Sequence, residues 1–185
     1  MSDSTLSWRQ VSKTELQKTA VMTMNKITSV SPDGTQGVFI VNDAPDWAIV
    51  IAEKGGNFLM VKQWRHGENG LSVEFPGGVI EAGEEPLAAA ARELREETGC
   101  VAERLVCLGA MNPNPALMSN HVHFFAASGV RREGGQNLDD DEYVDCLEIP
   151  KAEVYRSMAN PDYPHALMAA ALLRYAVCNG DIAAG

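Results

Sequence analysis

Residues 78–100 read GVIEAGEEPLAAAARELREETGC, and this stretch determines how the chain around it folds. Pro86 suits the first position of a helix, where a missing N–H group costs nothing. The alanine-rich run at residues 87–91 has strong helix propensity, and its small side chains allow close packing on a sheet. Gly99 is typical of a left-handed C-cap. The stretch therefore predicts a helix that begins at Pro86 and ends before Gly99.

Three glutamates stand on one face of this predicted helix. Glu93, Glu96 and Glu97 are spaced i, i+3 and i+4, which places their carboxylates side by side. Exposed like charges at that spacing repel by roughly a few tenths of a kcal/mol per pair, so the cluster indicates a bound cation rather than a solvated charged face. Hard carboxylate oxygens favour Mg²⁺, or Mn²⁺ in its place. Residues 76–78, Pro-Gly-Gly, predict a loop that brings backbone carbonyl groups near this face.

The composition limits the classes of protein to which the chain can belong. Its 185 residues and net charge of −10 suit one substantial core with an acidic surface,. An acidic surface argues against nucleic acid as the main partner, because phosphate chains bind basic surfaces. No stretch reaches the roughly 20 apolar residues of a membrane helix, and the first residues do not resemble a secretory signal. We therefore expect a cytoplasmic protein that binds neither nucleic acid nor membranes.

The histidines, tryptophans and cysteines could in principle bind ligands or metals, but packing explains them better. His121 and His123 share one face of a predicted strand, but no third ligand follows at a suggestive spacing, which favours packing or hydrogen bonding over metal binding. Trp8, Trp47 and Trp64 are predicted to be packing residues. The cysteines are dispersed without CxxC spacing, which predicts buried free thiols rather than a disulfide or a metal site; they are Cys100, Cys107, Cys146 and Cys178.

Alternating apolar and polar residues predict strands along most of the remaining chain. Residues 31–34, Ser-Pro-Asp-Gly, predict a turn in a small antiparallel N-terminal sheet, and Gly55 and Gly56 predict a hairpin. Beyond Pro150 the pattern becomes helical, with one helix at residues 151–158 and a longer one at 164–178. The predicted strands are residues 20–24, 37–41, 47–51, 58–63, 72–75, 104–110, 121–127 and 143–149.

Residues 78–100 also resemble a motif of a known protein family. Gly78, Glu84 and the run Arg-Glu-Leu-Arg-Glu-Glu-Thr-Gly at residues 92–99, with Cys100 at the final apolar position, resemble a complete Nudix box. The resemblance implies hydrolysis of a nucleoside diphosphate linked to another group, with divalent cations held by the box glutamates. It also implies an α/β/α sandwich with a mixed sheet for residues 46–180. Residues 1–45 would form an N-terminal β subdomain that takes part in a homodimer.

Features outside the box resemble the branch of the family that hydrolyses ADP-ribose. Pro115 lies fifteen residues after Cys100, where that branch carries a proline, and residues 61–65 and 139–142 resemble its strand end and its acidic loop. This implies a nucleotide-sugar substrate, ADP-ribose first, cut to AMP and ribose 5-phosphate. Residues 119–121, Ser-Asn-His, replace an acidic pair common in the branch. GDP-sugars, dinucleoside polyphosphates and nucleoside triphosphates stay open as substrates, as do a ligand-sensing module and a non-catalytic interaction domain.

The resemblance also implies roles for individual residues in catalysis. Glu93, Glu97 and Glu96, with the Gly77 carbonyl group, would hold the metal, and Arg92 would orient the glutamates. Glu84 would either bind metal through water or be structural.

The attacking water needs a base, and the diphosphate needs positive groups. A carboxylate of the acidic loop, Glu142 first and Asp140 second, would deprotonate the water, with Glu96 as the choice if the loop takes no part. Because the chain is acidic, Arg65 and Lys62 are candidates for holding the substrate phosphates, Arg65 as a two-pronged clamp. Lys62 is equally explained as a solvated strand residue. Pro115 is assigned to the substrate-binding set.

Overall fold

The computed structural model describes residues 3–180, and its elements follow the predicted α/β order. After a short 3-10 helix at Asp3–Thr5, the α-helices are α1 (Pro86–Thr98), α2 (Lys151–Ser157) and α3 (Ala166–Asn179). The strands are β1 (Arg9–Lys18), β2 (Thr23–Val30), β3 (Gln36–Asp43), β4 (Trp47–Lys54), β5 (Asn57–Arg65), β6 (Gly70–Glu74), β7 (Gly77–Val79), β8 (Cys100–Val101), β9 (Arg104–Met111), β10 (Val122–Ser128), β11 (Arg131–Arg132) and β12 (Val144–Pro150).

The chain divides into two compact units. The first comprises Met1–Pro45 and Asn112–His121, and the second comprises Asp46–Met111 and Val122–Gly185. In the first unit, β1, β2 and β3 form an antiparallel sheet in that order. The second segment of this unit is tied to β3, because the Asn42 N–H donates to the Leu117 carbonyl group at 2.7 Å.

Two details of the first unit differ from the prediction. β1 was not predicted, because all ten of its residues are exposed and its sequence, RQVSKTELQK, has no apolar alternation,. The strand predicted at residues 20–24 begins only at Thr23. Thr19 instead accepts and donates hydrogen bonds that close a turn with Met22, so residues 20–22 connect β1 to β2. The turn at residues 31–34 is confirmed by the bond from the Gly34 N–H to the Ser31 carbonyl group, 3.0 Å.

The second unit is a three-layer α/β/α sandwich around a mixed seven-stranded sheet. The central order is β12-β5-β4-β10-β9, with β6 pairing β5 and β7 pairing β4. The β10–β4 pair is parallel, whereas the other pairs in this sheet are antiparallel. Along β4, Ala48 and Val50 pack in a core with α1, and Ile49 and Ile51 pack in a second core with α2 and α3. The predicted fold class is therefore confirmed.

The helix in residues 78–100 has the predicted ends. α1 begins at Pro86, and Gly99 adopts φ of 67° while its N–H donates to the Arg95 carbonyl group at 2.8 Å. The loop predicted at residues 76–78 is wrong in part, because Gly77–Val79 form β7 and pair with the first residues of β4. This pairing requires glycine, since a Cβ atom at Gly77 would collide with the Ala48 carbonyl oxygen. The short pair β8–β11 was also not predicted.

The structure describes all four cysteines as free thiols, as expected. Their predicted burial is wrong for Cys107 and Cys178, which are exposed, because β9 lies at the edge of its sheet and Cys178 lies near the end of α3. Cys100 is buried and Cys146 is half-buried. Within residues 3–180, no helix is both long enough and apolar enough to cross a membrane.

Candidate active site

A cleft of about 790 Å³ opens in the second unit, and all three residues of β7 line it. Its lining has two chemically different parts. Acidic side chains come from α1, the turn before it and the loop before β12; they are Glu81, Glu93, Glu97, Asp139 and Glu142. A second polar group comes from β5, β6 and the residue before α3; it consists of Gln63, Arg65, Ser72, Glu74 and His165.

Glu97 is the most deeply buried of the acidic group, with 4% of its surface exposed. One carboxylate oxygen accepts a hydrogen bond from the Gly77 N–H at 2.8 Å. Burial raises the pKa of Glu97 to about 8, and the negative charges of Glu93 and Glu142 also raise it, against the opposing effect of the Gly77 bond. A charged Glu97 is therefore costly in this cleft unless a cation is present.

Glu93 lies one helical turn before Glu97 and packs against the backbone of Gly78. A Cβ atom at Gly78 would stand 2.6 Å from Glu93 Oε1, so only glycine leaves room for this carboxylate. Burial raises the pKa of Glu93, while the charge of Arg92 and a 2.8 Å bond from Arg92 Nη1 oppose the rise. Gly77 and Gly78 thus fix the positions of the Glu97 and Glu93 carboxylates beside β7.

Arg92 joins the acidic residues into one network. Its guanidinium donates to both oxygens of Glu84, each at 3.0 Å, to Glu96 at 3.0 Å and to the Val79 carbonyl oxygen at 3.0 Å. The hydrogen bonds from Arg92 lower the pKa of Glu84, and those to Glu84 and its neighbours raise the pKa of Arg92. Glu84 is therefore fully engaged by Arg92, which fits the structural alternative for this residue.

The donor atoms suit a divalent cation. Glu93 and Glu97 supply hard carboxylate oxygens in a buried setting that penalises their charge,. In the part of the chain that the structure describes, no group of three or more His, Cys, Asp or Glu side chains could hold a metal ion as it stands. Glu96 is bonded to Arg92 and lines a separate depression with Arg95 and Glu133. Glu97, which is bonded to Gly77, and the half-buried Glu93, which lies against Gly78, are therefore the residues that best fit the ion.

Two residues of the acidic loop at 139–142 line the cleft. Glu142 and Asp139 line the cleft, and the loop is closed by a 3.0 Å bond from the Glu142 N–H to the Asp139 carbonyl group. Asp140, the second candidate for the base, is exposed and does not belong to the described lining. Asp139 was not singled out from the sequence. The structure thus brings Glu142 together with Glu93 and Glu97.

Of the predicted substrate residues, Arg65 alone is found in the described cleft lining. Its guanidinium pairs with Glu74 through two bonds, of 2.7 and 2.6 Å, rather than standing free. Lys62 lies on the alternate face of β5, beside Tyr143 and Asp145,. Pro115 is exposed and belongs to the first unit.

Glu74 is a buried carboxylate that was not predicted from the sequence. Burial alone would raise the pKa of Glu74, but bonds from Arg65 and from His165 Nδ1, at 3.3 Å, outweigh it and hold the pKa at about 2. A signal was present in the sequence. Alternation gives each strand one polar pair, Gln63 with Arg65 on β5 and Ser72 with Glu74 on β6, but only the register Gln63↔Ser72 places both pairs on one face,.

Two glutamates of α1, the buried Glu97 and the half-buried Glu93, lie beside the glycine pair of β7, and this arrangement agrees with the family to which the chain is similar. The model of the NUDIX domain matches residues 43–169. The chain therefore belongs to the Nudix family.

Within the family, the chain is similar to two ADP-ribose pyrophosphatases. ADP-ribose pyrophosphatase of Bacillus subtilis is 38% identical over 103 residues, which cover 55% of this chain and 56% of the relative. ADP-ribose pyrophosphatase of Mycobacterium tuberculosis is 32% identical over 136 residues, covering 72% of this chain and 66% of the relative. The match thus spans little more than half the length of the Bacillus protein.

A solved structure supports the fold over nearly the whole chain. The crystal structure of an ADP compounds hydrolase superposes with a TM-score of 0.83 and covers 96% of this chain and 98% of that one. The two sequences are 20% identical, so this likeness shows the fold alone.

Proposed function

We propose that the protein hydrolyses the pyrophosphate bond of a nucleoside diphosphate sugar, with ADP-ribose as the first candidate and AMP and ribose 5-phosphate as products. The observation that carries the proposal is the placement of the buried Glu97 and the half-buried Glu93, one helical turn apart, in a cleft large enough for such a ligand,. The names of the Bacillus and Mycobacterium relatives, both ADP-ribose pyrophosphatases, support the substrate.

A divalent cation fits this cleft, with Mg²⁺ as the first choice and Mn²⁺ as a substitute. Glu93, Glu97 and the Gly77 carbonyl group would hold it, with Glu96 as a further ligand if it leaves Arg92. When bound, the ion would neutralise charge on the diphosphate and make a nearby water more acidic. The raised pKa values of Glu93 and Glu97 support this role, because a cation offsets the cost of their buried charge,.

The protein side chains supply positioning and proton transfer. Arg92 orients Glu93 and holds Glu84 away from the open cleft. Glu142 accepts a proton from the attacking water, whose oxygen forms a bond to one phosphorus atom of the diphosphate. The bond from that phosphorus to the bridging oxygen breaks, and the bridging oxygen leaves with the other phosphate. Arg65 stays paired with Glu74 and presents its remaining N–H groups to the substrate,.

We also propose a cytoplasmic location for the protein. Cys107 and Cys178 are exposed free thiols, and such thiols persist in a reducing compartment.

Product analysis tests the proposed function. Purified protein with Mg²⁺ is incubated with ADP-ribose, a GDP-sugar and ATP, and the products are separated by chromatography. We expect AMP and ribose 5-phosphate from ADP-ribose, and slower turnover of the other compounds. Release of ADP or free adenine would contradict the proposed bond, and a clear preference for ATP or the GDP-sugar would contradict the proposed substrate class.

A further inference from the structure

Two polar side chains in the cleft have hydrogen-bonding capacity that the described protein does not use. Gln63 on β5 and Ser72 on β6 are paired in the strand register, so their side chains lie next to each other on one face of the sheet, and both residues line the cleft. Ser72 is fully buried, and its Oγ has no hydrogen-bond partner among residues 3–180. The half-buried Gln63 amide likewise has no described side-chain bond. A buried hydroxyl without a partner is unfavourable, which indicates that a group entering from the cleft supplies one.

One pair of opposite charges lies beside these two residues. Glu74 and Arg65 lie next to Ser72 and Gln63 on the same two strands, and their charges compensate each other in a two-pronged ion pair. His165 takes up part of the remaining capacity of the Glu74 carboxylate. A further phosphate at this position would be repelled by the charged, buried Glu74 carboxylate, whereas a neutral group would not be repelled,.

Neutral hydroxyl groups match the unused atoms. An amide and a serine hydroxyl each donate and accept hydrogen bonds, as sugar hydroxyls do. A nucleobase, by contrast, needs apolar surface, which the cleft offers at Trp47, Ile49 and Val79 on β4 and β7. The Gln63–Ser72 pair is therefore chemically suited to the half of the substrate that carries no base.

We propose that Gln63 and Ser72 form a subsite that binds the hydroxyl groups of the sugar joined to the diphosphate opposite the nucleoside. This inference rests on the proposed function and goes further, because it assigns sugar specificity to two residues outside the Nudix box. The subsite selects nucleoside diphosphate sugars over nucleoside polyphosphates, which would place a charged phosphate beside Glu74.

The test compares two substrates that share the same diphosphate bond. ADP-ribose carries a second sugar on its terminal phosphate, and the methyl ester of ADP carries a methyl group there instead. The variants are Ser72→Ala and Gln63→Met, which remove the polar atoms with little change in size, and Ser128→Ala on the exposed end of β10 is the control. Thermal melting of each variant checks that the fold is retained.

We expect each variant to raise KM for ADP-ribose about tenfold, as for the loss of one hydrogen bond, with a smaller change in kcat. KM for the methyl ester should not change. Equal effects on both substrates, or no effect on either, would overturn the inference. So would wild-type protein that cleaves the two compounds with equal kcat/KM, although the proposed hydrolysis would then stand. Failure of wild-type protein to cleave either compound would overturn the proposed function and the inference together.

Discussion

Glu74 is a charged residue held inside the second unit by specific partners. Its pKa of about 2 lies below the ordinary value of 4.5, so the unfolded chain binds the proton more readily than the folded one. The Glu74 contribution to stability is therefore present above pH 4.5 and is lost as the pH falls towards 2. A shift of this size corresponds to roughly 3 kcal/mol.

We therefore expect Glu74→Gln to lower the free energy of unfolding by about 2–3 kcal/mol at pH 7 and by clearly less at pH 3. Urea unfolding of both proteins at the two pH values measures this. Glu148→Gln is a matched control, because the Glu148–Lys54 pair is exposed and such pairs contribute about 0–1 kcal/mol. An equal loss at both pH values would show that the Glu74 charge is not what stabilises the fold.

Glu142 is the residue on which the proposed proton transfer depends. Because it lines the cleft and Asp140 lies outside the described lining, we expect Glu142→Gln to lower kcat by roughly 10²–10⁴-fold and Asp140→Asn to have little effect. The Mg²⁺ concentration for half-maximal activity should change little in either variant. Steady-state kinetics with ADP-ribose decides between the two. The reverse ranking would make Asp140 the base, and near-full activity of the double variant would leave Glu96 as the remaining candidate.

Single residues of the site can be predicted from the sequence only where they follow a fixed spacing. The i, i+3, i+4 spacing on a helix identified Glu93 and Glu97 without any contact being known. Glu74 and Ser72 were missed, because each is one polar residue in a short strand whose partner, β5, is identified only by the sheet pairing. The engagement of Arg65 by Glu74 likewise depends on a side-chain contact across strands.

At the scale of elements, the close approach of β7 to α1 determines the geometry of the acidic group. Gly78 leaves space for the Glu93 carboxylate, whose atoms are the nearest neighbours of a Cβ atom placed there. We expect Gly78→Ala to lower kcat/KM with ADP-ribose by at least tenfold, because the new methyl group displaces Glu93. Misplacing a group that takes part in catalysis has an effect of about this size.

The fold of the Gly78→Ala protein should persist, since the group that must move is the end of a flexible side chain. Circular dichroism and thermal melting check this. Gly135→Ala is the matched control, because a Cβ atom there meets open space. Unchanged kinetics in Gly78→Ala would show that the position of Glu93 does not matter for turnover.

Elements with strong local signals were predicted, and elements that depend on distant pairing were not. α1 has a proline at its start, a run of alanines and a glycine cap, and its ends were predicted closely. β1 has no apolar face to reveal it, and β7 consists largely of glycines that read as a loop. Both strands exist because a neighbouring strand pairs with them. Tertiary pairing, which a local pattern does not contain, accounts for these errors.

At the scale of the whole molecule, the first unit carries apolar side chains that its own sheet does not cover. Val38, Phe39 and Ile40 on β3 are 63%, 46% and 40% exposed, and Trp8 is 49% exposed. A small sheet of this kind buries too little apolar surface to be stable alone. We propose that residues 1–45 contribute to a homodimer interface.

Light scattering at micromolar concentration tests the dimer. We expect a mass twice the 20.0 kDa of one chain, and a shift to the mass of one chain when Val38 and Ile40, which share one face of β3, are both changed to Glu. Leu173→Glu is the control, because Leu173 is similarly exposed but lies on α3 in the second unit. A wild-type mass of one chain would contradict the dimer, and a dimer that survives the double change would place the interface elsewhere.

The proposed hydrolysis requires a cation held on α1 by the buried Glu97 and the half-buried Glu93. The most direct test is turnover of ADP-ribose by Glu97→Gln at saturating Mg²⁺, with Glu85→Gln on the exposed start of α1 as the control. The change is nearly isosteric and removes a charge used in the transition state, so we expect kcat to fall by on the order of 10³-fold or more while the control stays active. Turnover of Glu97→Gln close to that of the wild type would contradict the assignment of the metal site.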